Sequence, residues 1–517
     1  MSPSLVKKSP NFAVDIPFSD CLTYANPLSI PCIPRGSDHV GNGFSGLPHP
    51  DYRSISDPSV MLHDGRWYLY PSYGMTWVSE DFVHWDYVPC NIPCEPGYSP
   101  TVVPAAGRFW MTRHSDGLYV ADSPTGPFAF VGDFILPDGA PLRPVDPAFF
   151  LDDDGALYLY WFGMEGNPLV GGRSFTLGAR LDAENPQRVL TKPVLLNAFD
   201  PAHKWERFGP YGQDDRWGYI EGQWMLKHNG RYYLVYASSG TEFPSYAMGA
   251  YYSDEGPLSG FVYQRRNPIV SSRAGLVRGG GHGSIVHAPD GSLWAFYTIP
   301  MPCAHLYERR IGMDRVEVDE NGELYCPGVT ETPQFGPCQP RKGDTGLRPL
   351  TFFLRFSHRA SSQTEGHEAF YALDDSLITY WLPAADDARP TLEIDLGTAY
   401  CVSASRIVWR DVGLDYAAGV TPGPFRYRID VAADSPDDEA GWTTAFDASG
   451  NAEDLAVDYR RFPAVTGRYV RLVVVGWPQC AAGRIRPGVV SFTAFGNREP
   501  PPAAVAPAPP DCGTMKP

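Results

Sequence analysis

A hairpin that recurs five times constrains this chain more than any other feature. The clearest copy is GYIEGQWMLKHNGRYYLVYAS, residues 218–238. Two aromatic and apolar runs there are joined at His228-Asn229-Gly230. Asn-Gly between such runs signals a tight hairpin, because both turn residues must take φ > 0. The other copies are DPSVMLHDGRWYLY (57–70), YSPTVVPAAGRFWMT (98–112), DPAFFLDDDGALYLYW (146–161) and HGSIVHAPDGSLWAFY (282–297). Their turn glycines are Gly65, Gly107, Gly155, Gly230 and Gly291. No single copy can bury both faces, whereas five set side by side around an axis can, as in a β-propeller. The segments VSEDFVHWDYV (78–88), VADSPTGPFAFV (120–131) and YYSDEGPLSGFVYQ (251–263) follow repeats and read as outer strands. The expectation is an all-β chain whose residues 50–326 form a five-bladed β-propeller.

Eight or nine residues before the turn glycines stand Asp57, Tyr98, Asp146, Glu221 and His282. These are equivalent positions at the start of the innermost strands, so they converge on the axis. Repetition alone predicts small or apolar residues there. Three carboxylates and a histidine point instead to chemistry, the alternative for any one of them being a strand cap or an Asp-Pro turn.

At 517 residues the chain exceeds one ordinary core. Aromatics make up 13%, and Gly and Pro number 52 each, which favours turns and strands over helices. The net charge of −17, without a long basic run, makes nucleic acid and anionic membranes poor partners and suits a neutral substrate. No window carries 18 uninterrupted apolar residues, so no span of a bilayer is expected. The first twenty residues, MSPSLVKKSPNFAVDIPFSD, hold lysines but no apolar core of signal-peptide length. As it stands the chain reads as cytoplasmic, and as secreted or periplasmic only if a leader has been removed. Ten cysteines are scattered, Cys90 and Cys94 being the one close pair without matching histidines, so free thiols are expected over zinc or a disulfide framework.

Residues 1–49, rich in Pro, Ser and Gly, read as an extension wrapping the propeller, part of it pairing with the last blade. RRIGMDRVEVDENGELYC (309–326) belongs to that blade, and 327–348 reads as a linker. From 349 to 497 the runs TLEIDLG, SASRIVWR, FRYRIDVAA, GRYVRLVVVGW and VVSFTAFG suit a β-sandwich or jelly roll. The Pro-rich tail 498–517 has a disordered composition.

Asp57-Pro58, Asp146-Pro147, Glu221-Gly222, Ser79…Trp85, Ser123…Gly126-Pro127-Phe128 and Gly281-His282-Gly283, each at its repeat's equivalent position, resemble glycoside hydrolase family 43, a family of five-bladed propeller enzymes. Ala372-Leu373-Asp374-Asp375, Trp381, Ile394-Asp395-Leu396-Gly397 and Arg468-Tyr469-Val470-Arg471-Leu472 resemble a discoidin-type (coagulation factor type C) sandwich, a module that often binds sugars.

The resemblance implies an inverting glycosidase, in which a carboxylate activates water and a carboxylic acid protonates the leaving oxygen, the pair about 6.5–9.5 Å apart. It assigns Asp57 as general base, Glu221 as general acid and Asp146 as the third carboxylate that orients the acid and raises its pKa. It also implies that His282 helps hold a calcium ion in the central channel; no organic cofactor is expected. Arg278 is a candidate for a substrate hydroxyl or for orienting a carboxylate. Trp77, Tyr98, Phe149, Trp161 and Trp224 are candidate platforms for sugar rings, although most aromatics in such strands pack between blades. Tyr98 stands where many relatives have Trp. The expected activity is exo-acting release of a terminal furanose, L-arabinose or D-galactofuranose, from an oligo- or polysaccharide. Alternatives are a β-xylosidase, a catalytically silent sugar-binding propeller, and transfer of a sugar to phosphate. The last is disfavoured because only Arg278 and His282 offer themselves to an anion.

Overall fold

Alternation explains how the aromatic strands are used. In the strand Arg66–Tyr70, Trp67 and Leu69 enter one core with Trp294 and Phe296, while Tyr68 and Tyr70 enter another with Val102 and Met111. A strand buried on both faces has no polar side to show, hence the run RWYLY. The computed structural model describes residues 20–32, 54–72, 76–89, 97–166, 172–303, 306–351, 357–413, 423–434, 439–478 and 485–498. Most of the N-terminal extension, the Cys90 and Cys94 pair and nearly all of the Pro-rich tail lie outside them. Among the described residues, Cys21, Cys303, Cys326, Cys338 and Cys401 are free thiols.

Four of the repeated hairpins each begin a four-stranded antiparallel sheet. The first runs Ser59–His63, Arg66–Tyr70, Thr76–Ser79, Asp86–Val88. The second runs Thr101–Ala105, Arg108–Thr112, Leu118–Ala121, Ala129–Gly132. The fourth runs Glu221–His228, Arg231–Ser238, Ala247–Ser253, Val262–Tyr263. The fifth runs Gly281–His287, Leu293–Pro300, Arg309–Val318, Leu324–Tyr325. The third hairpin, Val145–Leu151 with Leu157–Glu165, departs from this form. It lies in a seven-stranded sheet that also takes in Phe134–Ile135, Pro141–Leu142, Arg173–Asp182, Asn185–Val189 and Val194–Ala198. Five like blades are thus corrected to four regular blades and one enlarged sheet. The physical reason is the strand Arg173–Asp182, ten residues long, which pairs with both Asn185–Val189 and Val194–Ala198. The innermost strands contact one another in the order first, second, third, fourth, fifth, first, so the arrangement is propeller-like.

Turn chemistry sets the hairpins. Asp64-Gly65, Ala106-Gly107 and Asn229-Gly230 all have φ between 47° and 82°, the two-residue geometry whose twist matches that of the strands.

The C-terminal part is a β-sandwich built from one continuous ladder. Strands Thr391–Val412 and Val457–Gly476, 22 and 20 residues long, carry register shifts that let them bend around a core centred on Trp381, Ile394, Tyr427 and Phe492. Thr23–Tyr24 pairs with Gln334–Phe335, and Leu28 donates its N–H to Ile311 O at 2.9 Å, laying residues 20–32 against the fifth sheet. Cys21, Ala25, Phe335, Leu347, Ala404, Tyr459 and Phe495 then form one apolar cluster shared by this segment, the 327–348 stretch and the sandwich.

Candidate active site

One backbone device recurs at the mouth of every innermost strand. Asp57, Ser99, Asp146, Gly222 and His282 have φ of 53°, 48°, 47°, 60° and 26°. For residues other than glycine this left-handed conformation costs about 1–3 kcal/mol. The ladder slips at the same point in the third, fourth and fifth sheets. The equivalent residue of the second repeat is therefore Ser99 and not Tyr98, and that of the fourth is Gly222, with Glu221 one step before it. Gly222 has no alternative there, since a Cβ would lie 2.6 Å from Cγ of His282.

The turned backbone aims a connected set of side chains at one another. Asp57 is buried, and its Oδ2 accepts from Ser56 Oγ at 2.8 Å and Ser72 Oγ at 2.5 Å. Ser99 N donates to Ser72 Oγ at 3.1 Å, and Ser99 Oγ donates to Asp146 Oδ1 at 2.9 Å. A serine bridge thus links the two aspartates. His114 Nδ1 lies 2.8 Å from the same Asp146 oxygen. On the other side, His282 Nδ1 and Arg309 Nη1 each lie 3.5 Å from Asp57 Oδ1. Thr298 Oγ1 receives the Asp57 N–H at 2.8 Å and donates to His282 O at 3.1 Å. Half-buried Glu221 takes a hydrogen bond at 2.7 Å on Oε1 from the Tyr246 phenol.

The electrostatics divide the three acids into two kinds. Burial pushes the Asp57 carboxyl up, but Arg309, His282 and the Ser72 hydrogen bond outweigh it and hold it below the usual range. Burial acts likewise on Asp146 and is again outweighed, here by His114, His282 and Ser99, so this carboxyl is also lowered. Glu221 goes the other way: burial and then the charge of Asp146 hold it well above its ordinary value, against the Tyr246 hydrogen bond, with Asp57 and Glu242 adding to the rise. Two carboxyls held low thus stand beside one held high, a division suited to paired base and acid work.

The other candidates fare differently. Trp77, Phe149 and Trp161 are corrected: all three are buried in the cores between sheets and offer no ring face to a sugar. Trp77 spends its indole N–H on Pro31 O. Trp224 packs on the core between the fourth and fifth sheets and donates to Ile285 O at 2.8 Å, which also removes it from the axis. Arg278 lies beside Cys303 and Asp375, toward the sandwich, and Arg309 stands next to Asp57 in its stead. Tyr98 keeps a place at the rim, half-buried, its ring centroid 6.2 Å from that of His114.

His282 faces Asp57, and among the described residues no group of three His, Cys, Asp or Glu side chains is placed to hold a metal ion.

Sequence reasoning missed His114, Arg309, Ser72, Thr298 and Tyr246, because each stands outside the axial position of its repeat, and it missed Ser99 by one residue, next to Tyr98. Also missed was an aromatic wall beside the acid. Tyr219, two residues before Glu221, has its ring 5.8 Å from Phe208 and 6.4 Å from Phe162, and Phe208 lies 5.0 Å from Phe243. All four rings are partly exposed.

A propeller-like ring with three acids gathered at one end of its inner strands, read with the relatives below, defines a glycoside hydrolase. The chain belongs to the glycosyl hydrolases family 43, whose model matches residues 53–324. An F5/8 type C domain matches residues 357–485. A beta-xylosidase of Xylanibacter ruminicola is 25% identical over 264 residues, covering 41% of this chain and 78% of that protein. A xylosidase/arabinosidase 43A of Humicola insolens is 24% identical over 343 residues, covering 54% and 97%. A beta-D-galactofuranosidase of Aspergillus niger is 25% identical over 313 residues, covering 53% and 83%. Among solved structures, a thermostable family-43 glycoside hydrolase matches 61% of this chain and 99% of its own, with 25% identity and a TM-score of 0.48.

Proposed function

We propose that the protein is an inverting, exo-acting glycosidase that removes a terminal furanose, α-L-arabinofuranose or β-D-galactofuranose. The observation that carries this reading is the split among the acids, Asp57 and Asp146 held low and Glu221 held high in one connected site. Asp57, ionised, takes a proton from water. The water oxygen attacks the anomeric carbon on the face opposite the leaving group. Glu221 gives its proton to the glycosidic oxygen, which leaves with the electrons of the broken C–O bond. Asp146 keeps Glu221 protonated by like-charge proximity and is itself anchored by His114 and Ser99. The wall of Tyr219, Phe208, Phe162 and Phe243 stands on the acid's side, where the leaving group would rest. Five inner strands in a closed order support reading the enlarged third sheet as the fifth blade.

β-Xylosidase action is the second reading, favoured by the names that two of the relatives carry. A panel of nitrophenyl furanosides and pyranosides, assayed with wild type, Asp57→Asn and Glu221→Gln, separates the readings. Release from arabinofuranoside or galactofuranoside that both variants lose supports the first, and a preference for xyloside supports the second. No release from any glycoside, with sugar binding retained, would leave a silent binding protein.

A further inference from the structure

Glu221 takes its hydrogen bond from one direction. Tyr246 Oη donates to Oε1 at 2.7 Å, and among the described residues no other hydrogen bond to this carboxyl is seen. The ring of Tyr246 is 1% exposed and packs in the core with Val277, Ile299 and Met301. Gly281, at the start of the fifth sheet's inner strand, abuts it: a Cβ there would stand 2.3 Å from Cδ1 of Tyr246. Part of the glycine run RGGGHGS (278–284) is thereby explained, since it lets the backbone before His282 pass against a fixed phenol.

We propose that Tyr246 is the positioning residue of the acid: by occupying Oε1 of Glu221, it leaves Oε2 to carry the proton delivered to the leaving group. The proposal rests on the reading of Glu221 as general acid. Burial, and then the charges of Glu221 and Asp57, hold the phenol well above its usual pKa, so it stays a donor throughout. The balance is simple. The proton on Oε2 passes to the glycosidic oxygen, the electron pair of the C–O bond goes to that oxygen, and Glu221 becomes a carboxylate. The Tyr246 hydrogen bond strengthens at that moment, because a charged acceptor holds it more tightly than a neutral one. It therefore acts mainly in the transition state. The groups facing the Glu221 carboxyl are Tyr246, Asp146, Asp57 and Glu242, with Tyr219 beside them and His282 against Gly222. All the acids push its pKa up, and Tyr246 pulls it down.

The test compares wild type, Tyr246→Phe and Glu221→Gln on aryl furanosides of graded leaving-group pKa, across pH. Tyr246→Phe keeps the ring. It is expected to lose about ten- to a hundredfold in kcat/KM on poor leaving groups and little on dinitrophenyl glycosides. The basic limb of its pH profile moves to higher pH, with product binding unchanged. A 13C-carboxyl titration of Glu221 in the same variant reads the upward shift without turnover. Equal losses on every leaving group with an unmoved pH profile and titration overturn the proposal. If Glu221→Gln itself shows no selective loss on poor leaving groups, the acid assignment falls. If Glu221→Gln shows that loss and Tyr246→Phe does not, only the role of Tyr246 falls.

Discussion

Asp57, Ser99, Asp146 and His282 share a backbone conformation that side chains other than glycine avoid, and all four belong to one hydrogen-bonded or ion-paired set. Strain at the same place in four of the five repeats turns the side chain from the sheet face into the axial end. The consequences are specific. Glu221→Gln should lower turnover of unactivated glycosides by about 10²–10⁴ while sparing good leaving groups, whereas Asp57→Asn should lower turnover of all substrates alike. Steady-state kinetics on two leaving groups checks both. The pH profile follows from the shifts. With Asp57 as the proposed base and Glu221 as the proposed acid, activity would need Asp57 ionised, which its lowered pKa favours at low pH, and Glu221 protonated, which its raised pKa extends to higher pH. Asp146→Asn removes a negative charge that raises Glu221, so the basic limb of kcat/KM should move to lower pH; an unmoved limb would contradict the coupling.

At the scale of the strand and turn, the hairpins were legible because turn chemistry and aromatic alternation are local. Asn229-Gly230 and Asp64-Gly65 could hardly encode anything else. Asp57 and Asp146 were legible because the repeat placed them at equivalent positions, and Glu221 because it stands one step before its own. Arg309 and His114 were not, since their partners are distant in sequence: Arg309 meets Asp57 from the far end of the ring. The sugar platforms failed for a related reason. Trp77 and Trp161 are aromatic for packing, and only the fold tells which aromatics lie between sheets and which line an opening. The enlarged third sheet was missed because its extra strands are as short as Phe134–Ile135 and Pro141–Leu142, too brief for a period to show. Close approach within the fifth sheet yields a stability prediction. A Cβ on Gly283 would sit 1.8 Å from Phe296 O, a backbone atom that cannot step aside. Gly283→Ala should cost about 2 kcal/mol or more, read as a lowered midpoint in urea.

Across the whole molecule, propeller and sandwich are joined through shared parts. Buried Arg406 of the sandwich reaches Asn26 O in the N-terminal segment and Glu331 O beyond the last blade. Arg410 reaches Cys303 O. Asn26 in turn donates to Asp314 Oδ2 at 3.0 Å and to Met313 O at 3.0 Å in the fifth sheet. Arg406→Met strips a buried carbonyl, Asn26 O, and a part-buried one, Glu331 O, of this donor and should cost about 1.5–3 kcal/mol. Calorimetry should show wild type and variant each unfolding in one transition, the variant earlier; separate transitions in wild type would contradict this joining.

The most direct test of the central claim, that a low-held aspartate and a high-held glutamate act together on water and leaving group, is the configuration of the first product. Proton NMR during hydrolysis of a nitrophenyl α-L-arabinofuranoside, or of the glycoside the panel selects, records which anomer forms before mutarotation. The account predicts the inverted anomer first, the β-anomer for that arabinoside. First formation of the retained anomer would contradict it, because retention requires a carboxylate to attack the sugar directly.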